Sequence, residues 1–339
     1  MSGERQTSAT VKLTGICSAL HFLVDGLCAC TLYQVYALCF LPSETSFPTQ
    51  LLPLFLTYNV LAFLTQPLTG ILTDHCRQRQ TLLLSAVGML GMAVLLTALI
   101  AAFEALRVSP VPMFLVATLL GIGNSLFHVW GGKQTAVTTG NDIRALGVFV
   151  ATGALGLCIG YLFFSWPLII AMMLAISALA YKVYDGTVIG TSADKTAEDS
   201  QSVAMGPLGM GLTVFLIVAL MMVVMLRSCI TEMFSSDIPK STAIVLVIGT
   251  TAMLGKMAGG WFARNVGVIK ALLALVLAVT LCLMLRGQGA VMLIAGLFLV
   301  NCTMPITLYL ANVLLPGREG LAFGLLAAAL MPGYLIALL

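Results

Sequence analysis

The sequence predicts an all-α polytopic membrane protein with about eleven spanning helices in two bundles, and three observations carry that expectation. Of its 339 residues 60% are apolar and only 9% charged, with a mean hydropathy of +1.06, whereas a soluble domain carries roughly 25% charged residues. Eleven apolar runs approach the roughly 20 residues that a spanning helix needs: 13–40, 50–72, 81–103, 111–133, 144–164, 167–184, 208–230, 241–263, 269–286, 289–312 and 320–339. One long polar segment, DGTVIGTSADKTAEDSQSVAMGP from Asp185 to Pro207, divides six runs from five, and the two sides echo each other.

The first run is too long for a signal peptide and no small-residue cleavage site follows a short apolar core, so it reads as a permanent helix. Basic residues then orient the series. Arg5 and Lys12 precede the first run, Arg77 and Arg79 lie between the second and third, and Lys133 and Arg144 bracket the turn from the fourth to the fifth. Lys182 and Lys195 belong to the central segment, Arg264 and Lys270 join the eighth and ninth runs, and Arg318 precedes the eleventh. The alternate connections carry chiefly Arg107, Lys240 and Arg286. A cytoplasmic N-terminus in the plasma membrane is the expectation. The nine cysteines fall mostly inside apolar runs without any CxxC, and Cys28 and Cys30 point in different directions on a helix, so neither a disulfide framework nor a zinc site is expected.

The two sides of the central segment repeat weakly at a spacing of 177 residues: Asn124 falls on Asn301, Gly140 on Gly317, Asp142 on Glu319, Gly147 on Gly324 and Gly156 on Gly333. A second echo pairs GILTDHCRQRQ, Gly70 to Gln80, with GKMAGGWFARNVG, Gly255 to Gly267. Parallel halves about a central loop are one way secondary transporters are built. The expected division is an N-terminal six-helix bundle over 1–184, a cytoplasmic loop over 185–207 and a C-terminal bundle over 208–339.

With these motifs the chain resembles the major facilitator superfamily. GILTDHCRQRQ looks like that family's loop between its second and third helices, with Gly70, Asp74, Arg77 and Arg79 in the glycine, acid and basic places; the family's second glycine is missing, and Arg264 stands where the second half would carry an acid. GIGNSLFHVWGGK, the DIRALGVFVATGALGLCIG that follows it, and HFLVDG are similar to the fourth, fifth and first helices of the fosmidomycin-resistance-like efflux carriers. The resemblance implies a two-bundle fold that works by alternating access. It implies gating by Gly70, Asp74, Arg77 and Arg79, with Asp74 contacting helix-end donors or a base such as Arg144. The family usually has twelve helices, and eleven are read here.

His21 and Asp25 are four apart and share a helix face with Thr14, Ser18 and Cys28 close by. At ~1.5 Å per residue from Leu13, Asp25 lies ~18 Å deep in a core of roughly 30 Å, too deep to snorkel. Charges there face a cavity or a partner. The resemblance puts the first and fourth runs on the central cavity, which adds His128 and makes His21, Asp25 and His128 the expected proton-coupling residues. Asn124, Arg227, Asn301 and Asn312 are the candidate substrate-binding residues. For Arg227, snorkelling to the outer headgroups is an equal alternative, and Lys133 and Lys256 read as interfacial.

The sequence lacks a phosphate-binding glycine loop with lysine, an HExxH and a nucleophile elbow, so no enzyme, no ATP-driven step and no cofactor is expected. The leading expectation is a monomeric secondary transporter moving a small organic solute, as proton-coupled efflux by antiport. Its partners are then a small-molecule substrate, protons and the lipid bilayer, and no nucleic acid. A divalent metal ion carrier using His21, Asp25 and Cys28 is the alternative within transport, and a non-transporting membrane scaffold or sensor the alternative outside it.

Overall fold

The computed structural model describes residues 2–40, 47–76, 79–185, 209–238 and 241–338. Segment 186–207 and Arg77 lie outside the described residues, as do the side chains of Arg5 and Arg79.

Apolar runs become helices because a backbone in lipid must satisfy its own polar groups. In chain order these are α1 (Ser2–Phe40), α2 (Phe47–Leu64), α3 (Gln66–His75), α4 (Arg79–Ala102), α5 (Glu104–Arg107), α6 (Pro110–Thr138), α7 (Ile143–Leu162), α8 (Trp166–Tyr184), α9 (Met210–Ser236), α10 (Thr242–Val266), α11 (Val268–Met284), α12 (Ala290–Leu314), α13 (Glu319–Ala328) and α14 (Leu330–Leu338). Ten stretches among the described residues are long and apolar enough to cross a membrane, and α11 is a shorter apolar helix. The protein is an integral membrane protein, and each of the eleven apolar runs finds its helix.

Two spans are broken, and a proline sits just past each break. Pro67 has no N–H for the Phe63 carbonyl, and the regular helix is interrupted at Thr65, between α2 and α3, while its backbone stays in the helical region. Thr65 Oγ1 reaches the Leu61 carbonyl and Ser125 Oγ instead, at 2.6 and 2.8 Å. Pro332 follows the break at Ala329 between α13 and α14.

Within the first half α1 packs on α7 and α6 on α4 and α2; within the second, α10 packs on α12 and α9 on α12 and α14. The halves meet along α7 with α10 and α3 with α13. Small residues make both seams: a Cβ on Gly147 would meet the Lys256 carbonyl at 2.9 Å, and one on Gly70 would meet the Gly320 carbonyl at 2.5 Å.

The 177-residue repeat is visible in the backbone. Gly140 and Gly317 both adopt positive φ, +60° and +75°, a conformation only glycine adopts without cost. Gly156 lies on the α1 backbone at Phe22, and Gly333 on the α9 backbone at Met225. Gly147 lies on α10 of the opposite half, and Gly324 on α3 of the opposite half at Gln66.

Candidate functional site

The four-residue spacing on α1 turns His21 and Asp25 to the same side, and both are buried, at 5% and 7% exposure. Space for them comes from α7: a Cβ on Gly153 would fall on Asp25 Oδ2 and His21 Nε2. From α6 come His128 and Asn124. Asp25 is thus held on three sides, with His21 Nε2 3.3 Å from Oδ2, His128 Nε2 3.4 Å from Oδ1 and Asn124 Nδ2 donating to Oδ1 at 2.9 Å.

Hydrogen-bond chemistry fixes where a proton can sit. His21 Nδ1 lies 2.6 Å from the Phe149 carbonyl, and His128 Nδ1 lies 2.9 Å from the Asn124 carbonyl. A carbonyl only accepts, so in both rings Nδ1 carries the hydrogen. Each Nε2 of a neutral ring then presents a lone pair to a carboxylate oxygen. The arrangement is attractive only when a proton lies between nitrogen and oxygen, so the cluster is built to hold one or two.

The cluster opens on a cavity of about 200 Å³ between the halves. Tyr58, Asn59, Phe63 and Gln66 line it from α2 and α3, and Arg227 on α9 and Lys256 on α10 line it from the second half. Phe323, Leu326 and Leu330 close another side. Arg227 is 6% exposed, and its Nη1 is buried without a hydrogen-bond partner.

At one end the halves are latched. Asp74, at the end of α3, accepts from the backbone N–H of Gly320 and Leu321 at 3.0 and 2.9 Å, so a carboxylate caps the unsatisfied donors at the start of α13. Lys133 Nζ completes the group, 2.9 Å from Asp74 Oδ1 and 3.1 Å from the Thr73 carbonyl. Nearby, Asn312 Nδ2 donates to Asn141 Oδ1 across the seam at 2.9 Å.

Five residues are placed differently from expectation. Arg144 does not reach Asp74: its guanidinium turns to Asp142, two residues away, at 2.6 Å, and Lys133 takes the base's place. Lys133 is buried, not interfacial, because α3 and α6 pack together over it. Lys256 lines the cavity instead of snorkelling. Asn301 and Asn312 do not line it. Asn301 sits on the side of α12 that Gly255 of α10 covers, its Cβ 3.1 Å from where a Gly255 Cβ would be, and its amide turns back to the Leu297 carbonyl at 2.8 Å. Asn312 belongs to the seam. Gly153 and Tyr58 were not singled out as site residues; the glycine periodicity of α7 is the signal that could have found Gly153.

No protein-family model matches the chain, and no curated protein sequence matches it. Solved structures do. The E. coli fucose:proton symporter FucP is similar with a TM-score of 0.59 at 12% identity, over 97% of this chain and 90% of that one. The human organic anion transporter MFSD10 (TETRAN) is similar with a TM-score of 0.64 at 15% identity, over 96% of this chain and 92% of that one. The chain therefore has the major-facilitator-type fold, an all-α polytopic membrane architecture of two bundles about a central cavity.

Proposed function

We propose that the protein is a secondary active transporter that moves a small organic solute through the central cavity by alternating access, with protons taken up and released at His21, Asp25 and His128. The observation that carries this reading is the carboxylate of Asp25 set between two Nε2 atoms whose partner Nδ1 atoms are committed to carbonyls. A structural ion pair needs one partner; this cluster has two proton-accepting rings on one acid, facing a cavity. The fold supports alternating access, since the latch at Asp74 closes one end and can form only in one orientation of the halves. Gly70, Asp74, Lys133, Gly320 and the Asn141–Asn312 pair are the gating residues of this reading.

Efflux by antiport, the form implied by the resemblance to efflux carriers, requires solute and proton to displace each other. Symport, the activity in FucP's name, requires both to be bound at once. The metal-carrier reading has in its favour that His21, Asp25 and His128 bring their ligand atoms within 4.8 Å of one another. Against it stand two cationic side chains, Arg227 and Lys256, in the same cavity, which would repel a divalent ion at short range.

Reconstitution into proteoliposomes with an internal pH dye tests the proposal. One solute class should trigger proton movement in the wild type, and Asp25→Asn should abolish that movement while solute exchange persists. Full pH-driven transport by the Asp25→Asn protein would overturn the coupling assignment.

A further inference from the structure

The second half's share of the cavity lining carries two cations without an ion-pair partner among the described residues. Arg227 on α9 is buried, its Nη1 is shut away from solvent, and no hydrogen-bond partner meets that atom. Lys256 on α10 lines the same cavity and interacts electrostatically with both Arg227 and Asp25. Among the described residues neither cation has an ion-pair partner, and Asp25, the one acid lining the cavity, is already held by two imidazoles and Asn124. A guanidinium removed from water without a counter-charge is strongly unfavourable. A fold that keeps one facing a cavity has a use for it.

The remaining lining defines what accompanies the missing counter-charge. Val150, Leu157, Met304, Leu308, Leu326 and Leu330 make the surface mostly apolar, while Gln66 offers a buried Oε1 that lacks a partner. The volume of about 200 Å³ lies below the roughly 300–1,000 Å³ of pockets that hold drug-sized ligands, so the occupant is small. When the cluster has released its protons, the lining holds one negative and two positive charges, so one further negative charge balances that state.

We propose that Arg227 and Lys256 form an anion subsite, and that the transported solute is a small organic monoanion whose carboxylate is held by these two side chains and whose apolar body lies against the aliphatic lining. The planar guanidinium of Arg227 matches a carboxylate with two parallel donors, and Lys256 adds a point charge on the second helix. The inference rests on the central cavity being the transport site, and it names the substrate class of that site. It also assigns the halves different tasks: α1, α6 and α7 hold the proton, and α9 and α10 hold the solute's charge.

The purified full-length chain in detergent provides the test. Small carboxylates from acetate through butyrate to benzoate are each compared with the amide and the amine of the same body, with binding read by thermal stabilisation and titration calorimetry. At least one carboxylate should bind about tenfold or more tightly than its amide, a difference of about 1.4 kcal/mol, and the amines should not bind. Arg227→Gln should erase the preference for carboxylate over amide, and Lys256→Gln should reduce it. A second readout needs no ligand: Arg227→Met should raise the melting temperature of the ligand-free protein, because it removes an uncompensated buried charge, whereas an arginine kept for structure would lower it. No carboxylate binding, equal binding of carboxylate and amide, or a melting temperature lowered by Arg227→Met would each overturn the subsite. Failure here is distinguishable from failure of the proton reading. A neutral solute that moves protons would sink the anion subsite alone, and Arg227-dependent carboxylate binding without proton movement would sink the coupling alone.

Discussion

The two halves share their backbone and not their chemistry. Positions 177 residues apart repeat their geometry: Gly140 and Gly317 turn with positive φ, Gly147 and Gly324 each lie on a helix of the other half, and Gly156 and Gly333 each lie on the first helix of their own. At polar positions the correspondence ends. Asn124 points at Asp25, while its counterpart Asn301 bonds its own helix. Gly153 leaves room for His21 and Asp25, while Leu330 at the matching place closes the cavity. The first half contributes an acid and two imidazoles that satisfy one another, and the second contributes two cations that have no ion-pair partner among the described residues, one of them with a buried, unbonded Nη1. Symmetry of packing builds two like bundles, and asymmetry of charge gives the cavity one side with an acid and two imidazoles and another with two cations, which the proposed function makes the proton side and the solute side.

The largest break in that comparison should come from Asp25→Asn. The amide keeps the shape and can still meet Asn124, but it no longer exchanges a proton with either Nε2. Solute uptake driven by a pH gradient in proteoliposomes should fall to background, while exchange of labelled for unlabelled solute should persist. The sign of coupling follows from the same charges. Each proton added to the cluster makes the cavity more positive, so carboxylate affinity should rise as pH falls in the wild type and rise less in Asp25→Asn, where the acid that favours protons on the two imidazoles is gone. Affinity that falls with falling pH would indicate displacement, and hence antiport.

A smaller but still large effect is expected from Gly153→Ala. The added methyl would occupy the place of Asp25 Oδ2 and His21 Nε2, and overpacking of this kind costs about 1–3 kcal/mol, enough to slow pH-driven transport about tenfold. Leu330→Ala, at the matching position of the second half, should widen the cavity and change solute selectivity while leaving the pH dependence of transport in place. Equal pH shifts in the two variants would remove the division of tasks between the halves.

Much of this was legible in the sequence, for identifiable reasons. Run length and hydropathy located the ten span-length stretches and the shorter α11 among the described residues, because a bilayer of fixed thickness imposes length and apolarity directly. His21, Asp25 and His128 stood out because a titratable group deep in an apolar run has no cheap explanation. What stayed hidden was rotation about helix axes. Whether Asn301 faces a cavity or a neighbour depends on Gly255 of α10 admitting α12 closely, which one helix's own sequence does not state. Lys133 and Lys256 lie five and ten residues from the ends of α6 and α10, within the range where snorkelling and burial look alike. Arg144 found its acid two residues away, where a longer-range partner had been expected.

The latch tests the halves against each other at their seam. Asp74→Asn keeps one acceptor for the α13 donors but discards the charge that favours a helix N-terminus and leaves Lys133 unpaired. Turnover should slow several-fold while solute affinity is unchanged. Lys133→Met added to Asp74→Asn should restore part of the loss, because it removes the charge left behind; contacting residues typically show coupling of about 0.5–3 kcal/mol. Independent, additive effects of the two substitutions would mean that Lys133 and Asp74 do not act as a unit.

The smallest effect belongs to the turns where the repeat is closest. Asp142 caps α7, accepting from the Arg144 backbone N–H at 2.9 Å, and also holds the Arg144 guanidinium. In the second half the cap position is Arg318, which makes no side-chain cap, and Glu319 bonds the Gly317 N–H at 3.0 Å instead. Asp142→Ala should therefore cost about 1 kcal/mol of stability, and Glu319→Ala less. The Arg144 guanidinium holds the Asp142 carboxyl below the usual carboxylate range. A depressed native value means that the stabilisation is present above the unfolded value near pH ~3.9 and is lost as pH falls through the lower native one. Asp142→Asn retains the cap without the ion pair, and because Arg144 is 44% exposed that pair contributes little. Melting curves of the wild type and Asp142→Asn should thus nearly coincide at neutral pH, with the wild type losing its small advantage only below about pH 4. A large gap at neutral pH would show that this turn carries more of the seam than its counterpart at Glu319.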